Sequence, residues 1–184
     1  MKVCIDAGHG GRDPGAMFGD PPLREKDVTL SIARELEKML DPLPIDTVMT
    51  RSGDTTLQLR DRVATANQAN CDLFISIHTN ADPDEDDPGM PEAKGEEIYY
   101  LSEAGKQLAA RLGAGLRAEF PDEPWRGLKE RGLYVVKHTA MPAVLVEVAF
   151  IDDSATNRRL RDHAVRKQIA YALLRGLVGV QEEV

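Results

Sequence analysis

Four side chains in this sequence have the types and settings that chemistry requires. His9 follows a short apolar run, Val3-Cys4-Ile5-Asp6-Ala7, and sits among Gly8, Gly10 and Gly11. His78 closes a second apolar run, Leu73-Phe74-Ile75-Ser76-Ile77. Glu25 lies just before an amphipathic stretch, and Glu147 interrupts the apolar segment Ala143-Val144-Leu145-Val146-Glu147-Val148-Ala149-Phe150-Ile151. Imidazole is the commonest metal ligand in proteins and titrates near neutrality. Two histidines, one carboxylate and an open fourth position make a catalytic zinc site, in which the ion polarises a carbonyl and lowers the pKa of its bound water to about 7. A carboxylate inside an apolar strand is costly unless it is paired or faces a site. Burial would raise its pKa towards that of a working general base. With strict alternation, Leu145, Glu147 and Ala149 share one face.

Each residue also has a plain structural reading. A histidine on a glycine loop is more often structural than a ligand, a buried glutamate is commonly paired with arginine, and Glu25 alone would be a solvated loop residue. The spacing does not form a short-range zinc motif such as HExxH. His138 and His163 are the competing histidines. His163 lies in the charged stretch Arg161-Asp162-His163, which reads as exposed, whereas His138 precedes the loop Thr139-Ala140-Met141-Pro142 and is placed to line a cleft.

The elements that must position these groups follow from periodicity. Strand-like runs near 2–7, 45–50, 72–78, 96–101, 132–136 and 143–149 alternate with helix-like runs, which predicts an α/β fold. Val28, Ile32, Leu36 and Leu40 mark one helix with Asp27 as its N-cap, and Leu59, Val63 and Ala66 mark a second. Leu108, Leu112 and Leu116 mark a third after Ser102. Leu160, Ala164, Gln168, Ala172 and Gly176 trace one stripe of the last. If the strands of His9 and His78 are parallel neighbours, both imidazoles enter one crevice beyond the carboxyl ends, where open α/β sheets bind ligands.

The chain has 184 residues, enough for one domain with a real core, and carries a net charge of -8, which argues against a broad nucleic-acid surface. No apolar run approaches the roughly 20 residues of a membrane span. The first residues enter a strand at once and leave no room for a signal peptide in this chain. Its two cysteines, Cys4 and Cys71, lie outside any CxxC pattern and read as buried free thiols, with a disulfide as the alternative. The acidic stretch Asp82-Pro83-Asp84-Glu85-Asp86-Asp87-Pro88-Gly89 reads as a solvated loop and lacks the EF-hand pattern for calcium. A second loop is read at 121–127 around Trp125.

Taken in order, the motifs resemble those of the zinc-dependent N-acetylmuramoyl-L-alanine amidases, the amidase 3 family. The resemblance rests on Ile5-Asp6-Ala7-Gly8-His9-Gly10-Gly11 with Asp13-Pro14-Gly15-Ala16, on Glu25-Lys26-Asp27-Val28, and on Thr50-Arg51, Leu59, Arg62-Val63 and Ala66-Asn67 leading to Ser76-Ile77-His78-Thr79-Asn80-Ala81. It continues through Gly95-Glu96-Glu97-Ile98-Tyr99-Tyr100-Leu101, Arg126-Gly127-Leu128-Lys129, Leu133-Tyr134-Val135 and Met141-Pro142-Ala143-Val144-Leu145-Val146-Glu147. The resemblance implies one zinc ion held by His9, Glu25 and His78, with Glu147 as catalytic carboxylate and peptidoglycan as substrate. It implies one domain, a twisted, mostly parallel sheet of about six strands flanked by helices. Asn80 and Arg62 are candidates for substrate or supporting contacts, each with a structural role as the alternative.

Two departures stand out: Ala149 where the family has glycine, and Asp152-Asp153 where it has Ser-Asn, the aspartates being placed to cap the last helix. The short segment from Asn80 to Gly95 cannot hold a long blocking helix, so an open cleft is expected. The catalytic fold uses the whole chain, 1–184, leaving no wall-binding module. A monomer is expected, acting on the bacterial cell wall either as a lysin or sporulation enzyme released after cytoplasmic synthesis, or as a domain of a secreted protein. A different zinc peptidase and a non-enzymatic wall-binding module are the rival readings.

Overall fold

The computed structural model describes residues 1–82 and 93–179. Its strands are β1 (Lys2–Ala7), β2 (Met17–Phe18), β3 (Leu23–Arg24), β4 (Asp46–Met49), β5 (Leu73–Asn80), β6 (Glu96–Tyr100), β7 (Trp125–Glu130) and β8 (Ala143–Phe150). Its helices are α1 (Glu25–Leu40), α2 (Leu59–Gln68), α3 (Glu103–Glu119), α4 (Tyr134–His138), α5 (Ser154–Leu160) and α6 (His163–Val178). Six strands form one sheet in the order β4-β1-β5-β8-β6-β7, and β2 and β3 form a small antiparallel ribbon. β4, β1, β5 and β8 run parallel, while β6 is antiparallel to β8 and parallel to β7.

The apolar stripe of α1 explains its packing: Val28, Ile32, Leu36 and Leu40 are fully buried. They join Ile5, Ile75, Val146 and the apolar faces of α3 and α6 in the larger core. The other sheet face is covered more thinly. Cys4, Phe74, Ala143 and Leu145 pack there with Val63 and Ala66 of α2 and with Val135 and Val136 of α4. Cys4 and Cys71 are free thiols in this second core. Among the described residues no helix is long and apolar enough to cross a membrane.

Several local expectations are corrected. The apolar run at 132–136 is not a strand: Val135 and Val136 are both buried at adjacent positions in α4. So short a run cannot distinguish strand from helix by periodicity. The stretch read as a loop around Trp125 holds edge strand β7, whose Trp125 packs against Gly113 of α3. α1 starts two residues before Asp27, with Arg24 in the cap position. The last helical stripe belongs to two helices broken at Arg161-Asp162. Asp153 caps α5 through Thr156 N, and Asp162 caps α6 through Ala164 N. The alternation in β8 fails after Glu147, because His78 pairs with Glu147 but Asn80 pairs with Phe150. That extra residue is a bulge, and it turns Val148 and Ala149 together into the main core. Most of the acidic loop, and with it the stretch considered for a blocking helix, lies outside the described residues.

Candidate metal and hydrolytic centre

His9 and His78 meet because β1 and β5 are parallel neighbours in register from Val3↔Leu73 to Ala7↔Ile77. Gly8 N then donates to Ile77 O at 3.0 Å, carrying the first loop against the second strand end. The His78 ring lies on Gly8, where an added Cβ would come within 2.4 Å of His78 Cε1. His9 itself has φ 59°, in the left-handed region. Buried Arg62 holds it there, donating to His9 O at 2.6 Å, to Ala7 O at 2.7 Å and to Asp6 Oδ1 at 2.8 Å. Arg51 binds the other side of the turn, donating to Ala7 O, Gly8 O and Lys26 O at 2.8 Å each.

Glu25 is the first residue of α1 and is 3 % exposed. Its Oε1 accepts from Thr79 N at 3.0 Å and lies 2.9 Å from His78 Nδ1. Its Oε2 accepts from Ala16 N at 2.9 Å and lies 3.1 Å from His9 Nε2. One ligand atom from each of His9, Glu25 and His78 falls within 4.8 Å of the others. In the metal-free protein this proximity drives proton uptake. Burial opposes the charge on His9, but Glu25 and then Asp13 outweigh it and push its pKa up to about 9. His78 moves up against the same burial, through Glu25 and Glu147. Glu25 resists its own burial and is driven down by both histidines.

Glu147 reaches the same place from β8, paired in register with His78 on one side and Glu97 on the other. Its Oε2 has no hydrogen-bond partner. Burial, opposed by His78, raises its pKa to about 7. No arginine pairs with it among the described residues. Asn80 contacts neither histidine: its Nδ2 donates to Glu97 Oε1 at 3.0 Å. Arg62 holds the His9 loop and lines the cleft beside both histidines. His138 is exposed against Tyr134, ring centroids 4.4 Å apart, and His163 is exposed beside Glu35.

Two groups near the site were not singled out by the sequence reading. Asp13 Oδ2 lies 2.8 Å from His9 Nδ1, the nitrogen facing away from Glu25. Glu97 is 1 % exposed and accepts from Asn80, Tyr99, Arg126 and Lys129. The signal was available: in β6, Glu97 and Tyr99 alternate onto the face that carries Glu147.

A mostly parallel sheet with paired histidines and a carboxylate at its strand ends, and a half-buried glutamate on the next strand, has the layout of a hydrolytic centre at the strand ends of an α/β fold. The comparisons name the family. Residues 3–178 match the family model described as N-acetylmuramoyl-L-alanine amidase, so the chain belongs to that hydrolase family. It is 36 % identical to the N-acetylmuramoyl-L-alanine amidase LytC of Bacillus subtilis, covering 96 % of this chain but 34 % of LytC. It is 32 % identical to an endolysin of Bacillus phage SPP1, covering 97 % of this chain and 65 % of that protein. The solved N-acetylmuramoyl-L-alanine amidase AmiC2 of Nostoc punctiforme superposes with a TM-score of 0.89 at 32 % identity, covering 97 % of this chain and 96 % of that one.

Proposed function

We propose that this chain is a zinc-dependent hydrolase that cleaves the amide joining the lactyl group of N-acetylmuramic acid to L-alanine in peptidoglycan. In this reading residues 1–184 act as one catalytic domain and as a monomer, with one zinc per chain held by His9, Glu25 and His78. The donor set of two imidazoles and a carboxylate is that of catalytic zinc, and the ligand atoms already converge within 4.8 Å. When bound, zinc supplies a Lewis acid that polarises a carbonyl and acidifies water.

The chain's own residues do the rest. Glu25 is fixed by Thr79 N and Ala16 N, so its two oxygens face the two imidazoles without rearrangement. Asp13 accepts a hydrogen bond from His9 Nδ1–H, which keeps the proton on that nitrogen and leaves Nε2 free to ligate. The observation that carries the assignment of Glu147 is its register pairing with His78, which sets an unpartnered carboxylate oxygen beside the cluster. Glu147 takes the proton of the attacking water on Oε2 and passes it to the leaving amine nitrogen as the C–N bond breaks.

The deciding experiment is mass spectrometry of soluble products from purified peptidoglycan. Native protein should release stem peptides with a new L-alanine amino terminus, and chelated protein and Glu147→Gln should not. Products cut within the stem peptide would keep the metal centre but make the protein a peptidase. No metal-dependent product would overturn the reading.

A further inference from the structure

The centre divides an open sheet face into two unlike halves. On one side, between α2 and α4, lies a cleft of about 370 Å³ that His9 and His78 themselves line. Its other walls set Leu57, Leu59, Leu133, Tyr134, Val135 and Leu145 beside the polar Asp6, Asp13, Thr56 and Gln58. Leu59 and Tyr134 are 52 % and 43 % exposed, large apolar side chains turned to solvent at the cleft. Apart from the two histidines, the cation that lines it is Arg62, whose charge is paired with buried Asp6 and which also binds two backbone carbonyls. The cleft therefore offers aromatic and aliphatic surface with neutral hydrogen-bonding groups, and its one arginine is already balanced by a carboxylate.

The other side is the reverse. Across one strand spacing of about 4.8 Å from Glu147, Glu97 gathers Arg126 and Lys129 from β7. Lys129 and Arg131 both lie over the Tyr99 ring, each 5.8 Å from its centroid. Two cations thus sit on one buried carboxylate and a third lies over the neighbouring Tyr99, in a chain whose net charge is -8. Arg126 uses Nε on Glu97 and lies over the Phe150 ring, leaving its other guanidinium N–H groups, and Arg131, hydrogen-bonded to Tyr99, makes no ion pair among the described residues.

The geometry points to a fixed substrate polarity: the α2–α4 cleft, with its leucine and tyrosine walls and neutral polar groups, takes the uncharged acetylated sugar, and the β6–β7 shelf of Arg126, Lys129 and Arg131 receives a carboxylate of the stem peptide. This rests on the amidase reading above. In the scissile amide the lactyl acid is already acylated, so the sugar half carries no charge, and its C–H face and acetyl methyl suit Tyr134 and the leucines. The peptide half carries free carboxylates, and the shelf is where cations outnumber the carboxylate they touch. Glu147 lies between the two halves, where the bond linking sugar to peptide must be.

The test uses the zinc-loaded enzyme and synthetic N-acetylmuramoyl-L-alanyl peptides, identical except that the following acidic residue is free or amidated. A third substrate replaces the sugar by an acetyl group. Native enzyme should show the lower KM for the free acid. Arg131→Gln should raise KM for the acid about threefold to tenfold, the range for one partly exposed charge-assisted contact. Its KM for the amide should barely move. Tyr134→Ala should raise KM for both sugar-bearing peptides equally and leave the truncated substrate unaffected. Loss of acid preference in Tyr134→Ala but not in Arg131→Gln would reverse the polarity and overturn the proposal, as would equal KM for acid and amide in native enzyme. Hydrolysis of none of the three would instead remove the amidase reading on which it stands.

Discussion

His9 is where the cost of building the site is most visible. Its left-handed backbone, φ 59°, is uncommon for any residue with a side chain, though Asn, Asp and His take it more often than the rest. It is kept by Arg62, which donates to its carbonyl, and by Asp13, which accepts from its ring Nδ1. The second contact fixes the tautomer, and outer contacts of this kind typically change metal affinity by ten- to a hundredfold. Asp13→Ala is therefore expected to weaken zinc binding by about that factor, measured by competition with a chromophoric chelator. Asp13→Asn keeps an accepting oxygen and should retain most of the affinity. Equal affinity in all three proteins would show that the contact is incidental. The glycines were legible in the sequence as turn formers, but the second task of Gly8, making room for the His78 ring, depends on the neighbouring strand and has no sequence signature. Glu25 was unremarkable beside the residues around it; it matters because α1 begins there, under both histidines.

Between residue and fold, the buried group Asp6, Thr50, Arg62 and Ser76 fastens β1 to β5, the end of β4 and α2. Asp6 accepts from Arg62 at 2.8 Å and from Thr50 and Ser76 at 2.6 Å each. Burial alone would raise its pKa, but Arg62, Ser76 and Thr50 hold it below the usual 3.8. A carboxylate depressed in the folded state contributes stability that is complete above its unfolded pKa and is lost as pH falls through the folded one. Asp6→Asn leaves Arg62 buried without its partner, a loss of about 3–5 kcal/mol. Thermal melts should show a large deficit at pH 7 that narrows below about pH 4. A deficit that stays constant down to pH 2 would mean that packing, not charge, sets the effect. The strands and helices this network joins were largely readable, because each carries a clean period of two or near four. What was not readable lies where periodicity is too short or is overridden. The five-residue run that became α4 and the bulge after Glu147 are decided by packing against α2 and by pairing across β5, which no window of sequence contains.

Across the whole molecule the two sheet faces have divided the work. The thin α2–α4 side leaves β8, β6 and β7 open and carries the site; the thick side, under α1, α3, α5 and α6, supplies the larger core. One group contradicts that division. Glu96 points into the thick side, 3 % exposed, lining a cavity of about 20 Å³ with Phe120, Val148 and Ile169, and its Oε2 has no partner. Burial, only weakly opposed by Arg159, raises its pKa to about 7. The sign follows from linkage. The folded protein binds this proton more tightly than the unfolded chain, so stability is fully present below the unfolded pKa near 4.5 and declines as pH rises to about 7. A shift of that size corresponds to about 3 kcal/mol. Glu96→Gln keeps the shape and removes the titration. It should melt higher than native protein at pH 8, and the gap should close by about pH 4.5. Because Glu96 sits on the opposite face from Glu147, hydrolysis per folded molecule should not change. Melting curves for the two proteins that stay parallel from pH 4.5 to 8 would show that this carboxylate finds a partner or water on the far side of the sheet, and that the core bears no charge at neutral pH without compensation.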